Sequence, residues 1–270
     1  MNKSNRFQHN FEPLHLFFMG LGGLVILFIV APLLSMFLKT SGVQLIETAQ
    51  DLEVRNSIWL TLWTSMTGAL AFSFLAVPFA YILARKEFPL KRLVTGIIDL
   101  PIVVPHSAAG IAILGVISRD SLLGRAAEPL GLRLVSSPFA IIAAMSFVSL
   151  PFLINAARDG FMAVPERLEK AALNLGASPI RVFLTISLPL AWKSILSGLI
   201  LMWARGMSEF GAVVIVAYHP IISPILIYER FSSFGLKYAR PVSVLFLCVC
   251  LLIFILLRLL SGRRNHVESR

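Results

Sequence analysis

Charged residues are scarce in this sequence, and cysteine is almost absent. Only 14% of its 270 residues are Asp, Glu, Lys or Arg, whereas 57% are hydrophobic and the mean hydropathy is +0.83. This composition excludes an ordinary soluble globular protein and indicates an integral membrane protein. The two cysteines, Cys248 and Cys250, lie two apart in an apolar segment. Helical geometry points them to different faces, so they offer no metal-ligand spacing and no metal site is expected.

The sequence also lacks the common motifs of catalytic sites. It contains no GxxxxGK[ST] phosphate loop, so the chain does not hydrolyse ATP by that route, and it contains neither HExxH nor GxSxG. No catalytic residue and no cofactor of its own are therefore expected. The net charge of +10 is not arranged as a basic stripe interleaved with aromatic residues, which argues against nucleic-acid binding.

Six apolar segments are long enough to cross a bilayer, which needs about 20 residues per helix. Three contain no ionisable residue, and the last is shorter but flanked by Arg240 and Arg258, whose side chains can extend to the interfaces. The sequence thus predicts an all-α integral membrane protein with a single transmembrane domain over residues 1–270. The predicted spans are 16–38, 57–84, 93–118, 134–157, 194–217 and 241–257.

Lysine and arginine are distributed unevenly between the connections. Most of them fall on one side of the membrane if the N-terminus, with Lys3 and Arg6, is cytoplasmic. Positive charge favours the cytoplasmic side, so we expect both termini in the cytoplasm of a multi-pass protein of the cell membrane. The first apolar segment exceeds a signal-peptide core and no A-x-A pattern follows it, so we expect an uncleaved first helix.

The longest predicted cytoplasmic connection, residues 158–193, contains VPERLEKAALNLGASPIRVFLTISLPL. Pro165 suits the first turn of a helix, Gly176 can end it, Ser178 and Pro179 can begin a second helix, and Pro189 is expected to stop that one. An apolar stripe at helical spacing follows Pro165: Leu168, Ala171, Ala172 and Leu175. This pattern fits an element that docks on a partner, and it fits equally a helix lying flat at the lipid headgroups.

Ionisable residues inside two predicted spans need partners, because charge is costly in a bilayer. Arg205 and Glu209 lie at i and i+4, so on one helix they share a face and can neutralise each other. Either they form a self-satisfied pair that packs the bundle, or they lie beside a transport pathway. Asp99 is expected to reach the interface or to pair with Lys91 or Arg92.

The third predicted span contains two prolines and a histidine. Pro101 and Pro105 each remove a backbone donor and are expected to kink the helix, and backbone exposed in this way is tolerated beside a water-filled cavity. His106 and Ser107 follow the second kink and could line a gate. A lone histidine in an apolar helix is also commonly a hydrogen-bonded packing residue.

The connection 158–193 resembles the EAA loop of the permease subunits of binding-protein-dependent ABC importers. The spacing is carried by Ala171-Ala172, Gly176, Ile186, Leu188 and Pro189. The resemblance implies that this loop is a coupling helix seated in a groove of a cytoplasmic ATPase subunit. Lys170 stands where the family usually has glutamate, and Glu169 lies one residue earlier. One residue is about 100° around a helix, so the charge that meets the ATPase is left open.

Two further stretches resemble the third and fifth spans of molybdate/tungstate permeases and, less closely, of sulfate permeases. They are DLPIVVPHSAAGIAILGV (99–116) and SEFGAVVIVAYHPIISPILIYERF (208–231). The resemblance implies a homodimer of permeases in membrane lipid, two ATPase subunits that bind the ATP, and an external substrate-binding protein. The expected function is ATP-driven import of a tetrahedral oxyanion, molybdate or tungstate, into the cytoplasm. Sulfate or thiosulfate import is the alternative, ahead of an intramembrane enzyme or an ion channel.

Two sets of candidate residues follow from these observations. The expected ATPase-coupling residues are Leu168, Glu169, Lys170, Ala171, Ala172, Leu175, Gly176, Ile186, Leu188 and Pro189. The expected pathway or gate residues are Pro105, His106, Ser107, Gly110, Arg205, Ser208, Glu209, Phe210 and Gly211. In the second set the hydroxyls, together with glycines that bare the backbone, would offer hydrogen-bond donors to an anion that has only acceptor oxygens.

Overall fold

The structure, a computed structural model, describes residues 13–262 and the side chains of residues 15–256. Lys3 and Arg6 therefore lie outside the described residues. The chain is helical, with short connections. Its helices are α1 (Pro13–Leu38), α2 (Gly42–Gln50), α3 (Leu52–Arg85), α4 (Lys91–Val103), α5 (His106–Ile117), α6 (Leu122–Ala127), α7 (Pro138–Ala163), α8 (Glu166–Asn174), α9 (Pro179–Val182), α10 (Leu188–Met207), α11 (Gly211–Val216), α12 (Ser223–Phe234) and α13 (Leu236–Gly262).

The predicted all-α membrane fold is confirmed. Five helical segments in the described part of the chain are long and apolar enough to cross a membrane, and the bent pair α4–α5 makes up to six. The predicted first, second, fourth and sixth spans correspond to α1, α3, α7 and α13. Each helix begins and ends within six residues of its predicted limits, because apolar composition determines the extent of a span.

The third predicted span is not one kinked helix. α4 and α5 are separated by a two-residue break and their axes are bent by 112°. Pro101 lies inside α4 without interrupting it, whereas Pro105 lies at the break and precedes the first residue of α5. The residue before a proline disfavours helical backbone, and Val104 is indeed extended (φ −66°, ψ 132°). The break therefore lies at Pro105 and not at Pro101.

The fifth predicted span also differs from expectation. Helical structure runs without interruption from Pro179 to Met207, so Pro189 does not stop the second short helix. Pro189 lies in the first turn of α10, and a π-helical stretch, Phe183–Ser187, joins α9 to α10. A π-helical stretch tolerates the missing backbone donor that would otherwise end the helix. At its other end the span breaks after Met207 and resumes as α11.

The core of the bundle is formed by α3, α7 and α10, which pack closely through small side chains. Ala69 and Ala80 of α3, Ala157 of α7 and Ala191 of α10 are buried in one cluster. Small residues at helix contacts are usual in membranes, because close approach of the backbones supplies the packing energy. In contrast, none of the residues 15–38 of α1 is buried within this chain.

The bundle has two ends. We call the end with the C-terminus of α3, α8 and α9 the elbow end, and the end with α2, α6 and α12 the far end. At the far end Arg230 of α12 lies 2.8 Å from Asp51 and 2.7 Å from Glu53, which precede and open α3. Ser223 at the start of α12 donates its backbone N–H to Thr61 Oγ1 at 2.9 Å. α3 thus connects the two ends of the molecule.

Candidate functional site

The breaks in the third and fifth spans lie side by side. α5 begins at His106 and α11 begins at Gly211, and the two short helices pack against each other. A Cβ built on Gly211 would lie 2.7 Å from His106 Cβ, and one built on Gly110 would lie 2.7 Å from the Ala212 carbonyl oxygen. The structure therefore places both predicted pathway glycines at the contact between α5 and α11, which no larger side chain would allow at this spacing.

Three ionisable side chains meet at these breaks, and we call them the membrane cluster: His106, Arg205 and Glu209. Glu209 is fully buried; its Oε2 lies 2.7 Å from His106 Nδ1 and 3.0 Å from Arg205 Nη2. Its Oε1 accepts a hydrogen bond from the Ala212 N–H at 2.8 Å. Both carboxylate oxygens are therefore satisfied, as a buried charge requires.

The predicted Arg205–Glu209 pair exists, but the two residues do not share a helix. Arg205 belongs to the last turn of α10, and Glu209 lies in the break between α10 and α11. The sequence prediction did not include His106 as their common partner; Arg205 Nη2 lies 2.9 Å from its Nε2. The membrane cluster thus joins the third span to the fifth across both breaks.

The remaining predicted pathway residues surround the membrane cluster. Ser107 and Ser208 are exposed, and Ser208 Oγ lies 3.4 Å from Arg205 Nη1. Phe210 is half-buried and its ring centre lies 5.1 Å from that of Tyr228 in α12. Both serines lie at the surface of this chain, and Ser208 lies beside a guanidinium whose charge is paired with Glu209.

Asp99 has a different partner from those expected. Its Oδ1 accepts a hydrogen bond from Asn155 Nδ2 of α7 at 2.7 Å, whereas Lys91 pairs with Glu87 at 2.7 Å. The α4 segment that precedes the break is thus tied to the core of the bundle by a polar contact.

The predicted two-helix connection is present, and we call residues 166–182 the elbow. α8 ends before Gly176, which adopts φ +87°, a left-handed conformation that glycine reaches at no steric cost. Ser178 Oγ accepts a hydrogen bond from the Arg181 N–H at 3.4 Å and caps the first turn of α9. The chain therefore turns at Gly176 between two short helices.

The inner side of α8 is held by a carboxylate. Glu169 is the buried residue of this helix. Arg85, the last residue of α3, approaches it as a fork, with Nη2 2.8 Å from Oε1 and Nε 2.9 Å from Oε2. Ser187 donates to Oε1 at 2.7 Å, and the Tyr81 hydroxyl lies 3.5 Å from Oε2. We call these four residues the Glu169 anchor.

The environment of Glu169 favours its charged form. Burial alone would raise the pKa of this carboxyl, but the hydrogen bonds from Arg85 and Ser187 outweigh burial and hold the pKa below its usual value. The side chains of Glu169 and Arg85 are each 9% exposed, so the pair is largely shielded from water. A paired, forked contact of this kind fixes orientation as well as distance.

The outer side of the elbow is open. Lys170 occupies the position at which the EAA loop usually has glutamate. It is exposed, and its Nζ lies 2.8 Å from Glu166 Oε2. Leu175 is 89% exposed and Leu168 is 42% exposed. The other predicted coupling residues range from half-buried to exposed: Ala171, Ala172, Gly176, Ile186, Leu188 and Pro189. The charge that faces outward is therefore that of Lys170, and the charge of Glu169 faces inward.

Three residues of the Glu169 anchor were not found by sequence reasoning: Tyr81, Arg85 and Ser187. Arg85 carried a signal, because it ends the second span directly before the next connection. Nothing local indicated that Ser187 would point inward, since its direction depends on the π-helical stretch that ends with it.

Most of the chain is similar in sequence to a known protein family. Residues 76–266 match the family model described as binding-protein-dependent transport system inner membrane component. The molybdate/tungstate transport system permease protein WtpB of Thermococcus kodakarensis is 46% identical over 250 residues, covering 92% of this chain and 96% of the relative. The protein of the same name from Methanocaldococcus jannaschii is 40% identical over 243 residues, covering 90% and 95%.

More distant relatives and solved structures agree with this assignment. The sulfate transport system permease protein CysT of Synechocystis is 28% identical over 252 residues, covering 89% of this chain and 87% of the relative. A bacterial ABC transporter involved in alginate import has the same fold, with a TM-score of 0.71 at 16% identity over 93% of this chain and 96% of that chain. The MetNI methionine transporter has a TM-score of 0.59 at 14% identity, over 80% of this chain and 96% of that chain.

Proposed function

The chain belongs to the family of inner-membrane components of binding-protein-dependent transport systems, and on that premise we propose that it imports molybdate or tungstate. In this proposal the chain is the transmembrane subunit of an ABC importer, and a separate ATPase subunit hydrolyses the ATP. The observation that carries the proposal is 46% identity to a molybdate/tungstate permease over 92% of the chain. The sulfate permease of Synechocystis is 28% identical over 89% of this chain, which makes sulfate the second candidate.

The membrane cluster has the electrostatic properties that such a substrate requires. A tetrahedral dianion offers only acceptor oxygens, so a bare buried carboxylate on its route would repel it. Arg205 neutralises Glu209, whose Oε2 also lies within hydrogen-bond distance of His106 Nδ1, and Glu209 in turn prevents Arg205 from acting as a fixed cationic trap. A pathway must bind weakly enough to release its substrate. Ser107, which is exposed, can supply a hydroxyl donor without net charge, whereas the Ser208 hydroxyl donates to the Arg205 carbonyl oxygen at 3.0 Å and would have to leave it to bind an anion.

The elbow supplies the contact with the ATPase in this proposal. It leaves Leu168 and Leu175 exposed at a connection between two spans, and exposed apolar side chains in such a loop favour a protein partner. We infer that the elbow end is cytoplasmic, together with both termini, which agrees with the excess of lysine and arginine in the segments predicted on that side.

The complete importer would contain two copies of this chain, two ATPase subunits and an external substrate-binding protein. α1 and the outer surface of α4 support a second copy, since none of the residues 15–38 of α1 is buried in this chain and Val103 of α4 is 80% exposed at the helix break. Lipid would cover the remaining apolar surface. The far end, opposite to the elbow, would receive the binding protein.

The proposal is tested by reconstituting this permease with its ATPase and binding protein in lipid vesicles. We expect uptake of molybdate and tungstate that requires ATP, and ATP hydrolysis that rises when the loaded binding protein is added. A complex whose ATPase lacks its phosphate-loop lysine is the control. Uptake of a cation or an amino acid that is indifferent to oxyanions would refute the assignment, and preference for sulfate would select the second candidate.

A further inference from the structure

The attachment of α8 to the membrane spans is unusual, because it depends on a charged side chain. Glu169 is the buried residue of α8, while Leu168, Leu173 and Leu175 are 42%, 43% and 89% exposed. An amphipathic helix on a protein surface normally packs its apolar face inward. Here the apolar side chains remain available for a partner, and the inward contact is an ion pair.

Glu169 joins α8 to two spans at one point. Arg85 belongs to the last turn of α3, and Ser187 directly precedes α10. Arg85 Nη2 also donates to the Val164 carbonyl oxygen at 2.9 Å, so the short link between α7 and α8 is held by the same guanidinium. A displacement of α8 would thus reach α3, α7 and α10, the three helices of the core.

The forked contact between Arg85 and Glu169 is suited to make α3 follow a change in the orientation of α8. Two parallel N–H···O contacts fix the orientation of a guanidinium and a carboxylate relative to each other, which a single contact or an apolar contact does not. α3 continues from this point to the far end, where Thr61 contacts Ser223 and Asp51 contacts Arg230. One continuous helix, which contains Pro78, therefore leads from the anchor to the opposite end.

We infer that Arg85 and Glu169 are positioning residues that form a coupling joint: they carry movement of α8, driven by the ATPase, into the second span. This inference rests on the proposed function. It assigns to Glu169 an internal contact rather than a contact with the ATPase, and it leaves Lys170 as the outward charge. Neither residue touches the substrate.

The test must distinguish a loss of movement transmitted from α8 to the second span from a failure of the permease to fold. Glu169→Gln leaves Arg85 without its counter-charge and is expected to reduce the amount of assembled complex. The double variant Arg85→Met/Glu169→Met removes both charges at similar volume, so it avoids an unpaired buried charge. The matched control is Glu87→Met/Lys91→Met, which removes an exposed ion pair from the same end of the bundle.

Each variant is reconstituted with its ATPase and binding protein, and the ratio of stimulated to basal ATP hydrolysis is measured per assembled complex. A coupling free energy of ordinary size corresponds to about 5- to 150-fold. We therefore expect the Arg85→Met/Glu169→Met complex to retain its ATPase subunits but to lose at least about fivefold in this ratio. The control pair should keep the wild-type ratio.

A wild-type ratio of stimulated to basal hydrolysis in the double variant would overturn the inference. Loss of the ATPase subunits from a stable permease would also overturn it, because such a loss would place Glu169 at the surface that contacts the ATPase. If the double variant does not assemble, Arg85→Lys decides, because lysine keeps the charge and cannot form the fork. A reduced ratio then supports the joint and a wild-type ratio overturns it. If wild-type protein is not stimulated by oxyanion-loaded binding protein, the proposed function fails before any variant is compared.

Discussion

Gly110 lies against Ala212 so closely that a Cβ on Gly110 would be 2.7 Å from the Ala212 carbonyl oxygen. The contact joins α5 to α11, and hence the third span to the fifth, beside the membrane cluster. Gly115 lies in the same helix, and a Cβ built there would have nothing within 4 Å. The two glycines therefore form a matched pair for substitution.

Gly110→Ala is expected to lower the free energy of unfolding of the detergent-purified protein by about 1–3 kcal/mol, because the new methyl group forces α5 and α11 apart. Thermal unfolding measures this loss. Gly115→Ala should be neutral or stabilising by up to about 1 kcal/mol, since alanine favours a helix. Equal losses in both variants would show that the α5–α11 contact is not tight.

Glu209→Gln is expected to destabilise the protein by on the order of 3 kcal/mol, because Arg205 and His106 lose their shared carboxylate inside the bundle. Arg205→Gln/Glu209→Gln should cost less than the sum of the two single changes. Thermal unfolding of all four proteins measures this coupling. Strictly additive losses would contradict the pairing.

Leu175→Asp is expected to leave the permease in the membrane and to weaken its hold on the ATPase more than tenfold. Transfer of a carboxylate into an apolar contact costs several kcal/mol, and about 1.4 kcal/mol is a factor of ten in affinity. Leu175→Met, which nearly conserves volume, should bind as the wild type does. Co-purification of the ATPase measures both, and undiminished binding of the aspartate variant would exclude Leu175 from the contact.

Asp51→Asn separates charge from helix capping at the start of α3. Asp51 Oδ1 accepts from the Glu53 N–H, a role that asparagine retains, and Oδ2 accepts from Arg230, where the ionic attraction is lost. Burial raises the pKa of Asp51, but the hydrogen bonds from Arg230 and from the Glu53 backbone outweigh burial and the net pKa is lowered.

A lowered pKa stabilises the folded protein above the ordinary value of 3.8, and that contribution disappears as the pH falls through the folded-state pKa. The wild type should therefore exceed Asp51→Asn in stability by up to about 1 kcal/mol at pH 7, as expected for a partly exposed pair. The difference should stay constant down to about pH 4 and shrink below it. A difference that grew in acid would contradict this assignment.

The spans that composition determines were predictable, and the breaks were not. α1, α3, α7 and α13 follow from apolar length alone. Pro105 indicated a kink, but the bend of 112° depends on the packing of α5 against α11, which brings together residues about a hundred positions apart. No local pattern contains that contact.

The candidate site shows the same limit. The i, i+4 spacing predicted the Arg205–Glu209 pair, whereas the contact of His106 with both residues follows from the positions of two helix breaks. For α8 the sequence left open which of two neighbouring charges faces outward. The partner that turns Glu169 inward, Arg85, lies at the end of a different span.

The inward position of Glu169 separates two tasks that one short helix must perform. The residue that attaches α8 to the membrane body is on one side, and the residues that can meet another protein, such as Lys170 and Leu175, are on the other. Substitutions on the outward side should leave the attachment unchanged. With the coupling role proposed above, such a permease could be matched to a different ATPase through a few surface residues, while its transmembrane part kept its sequence and its choice of substrate.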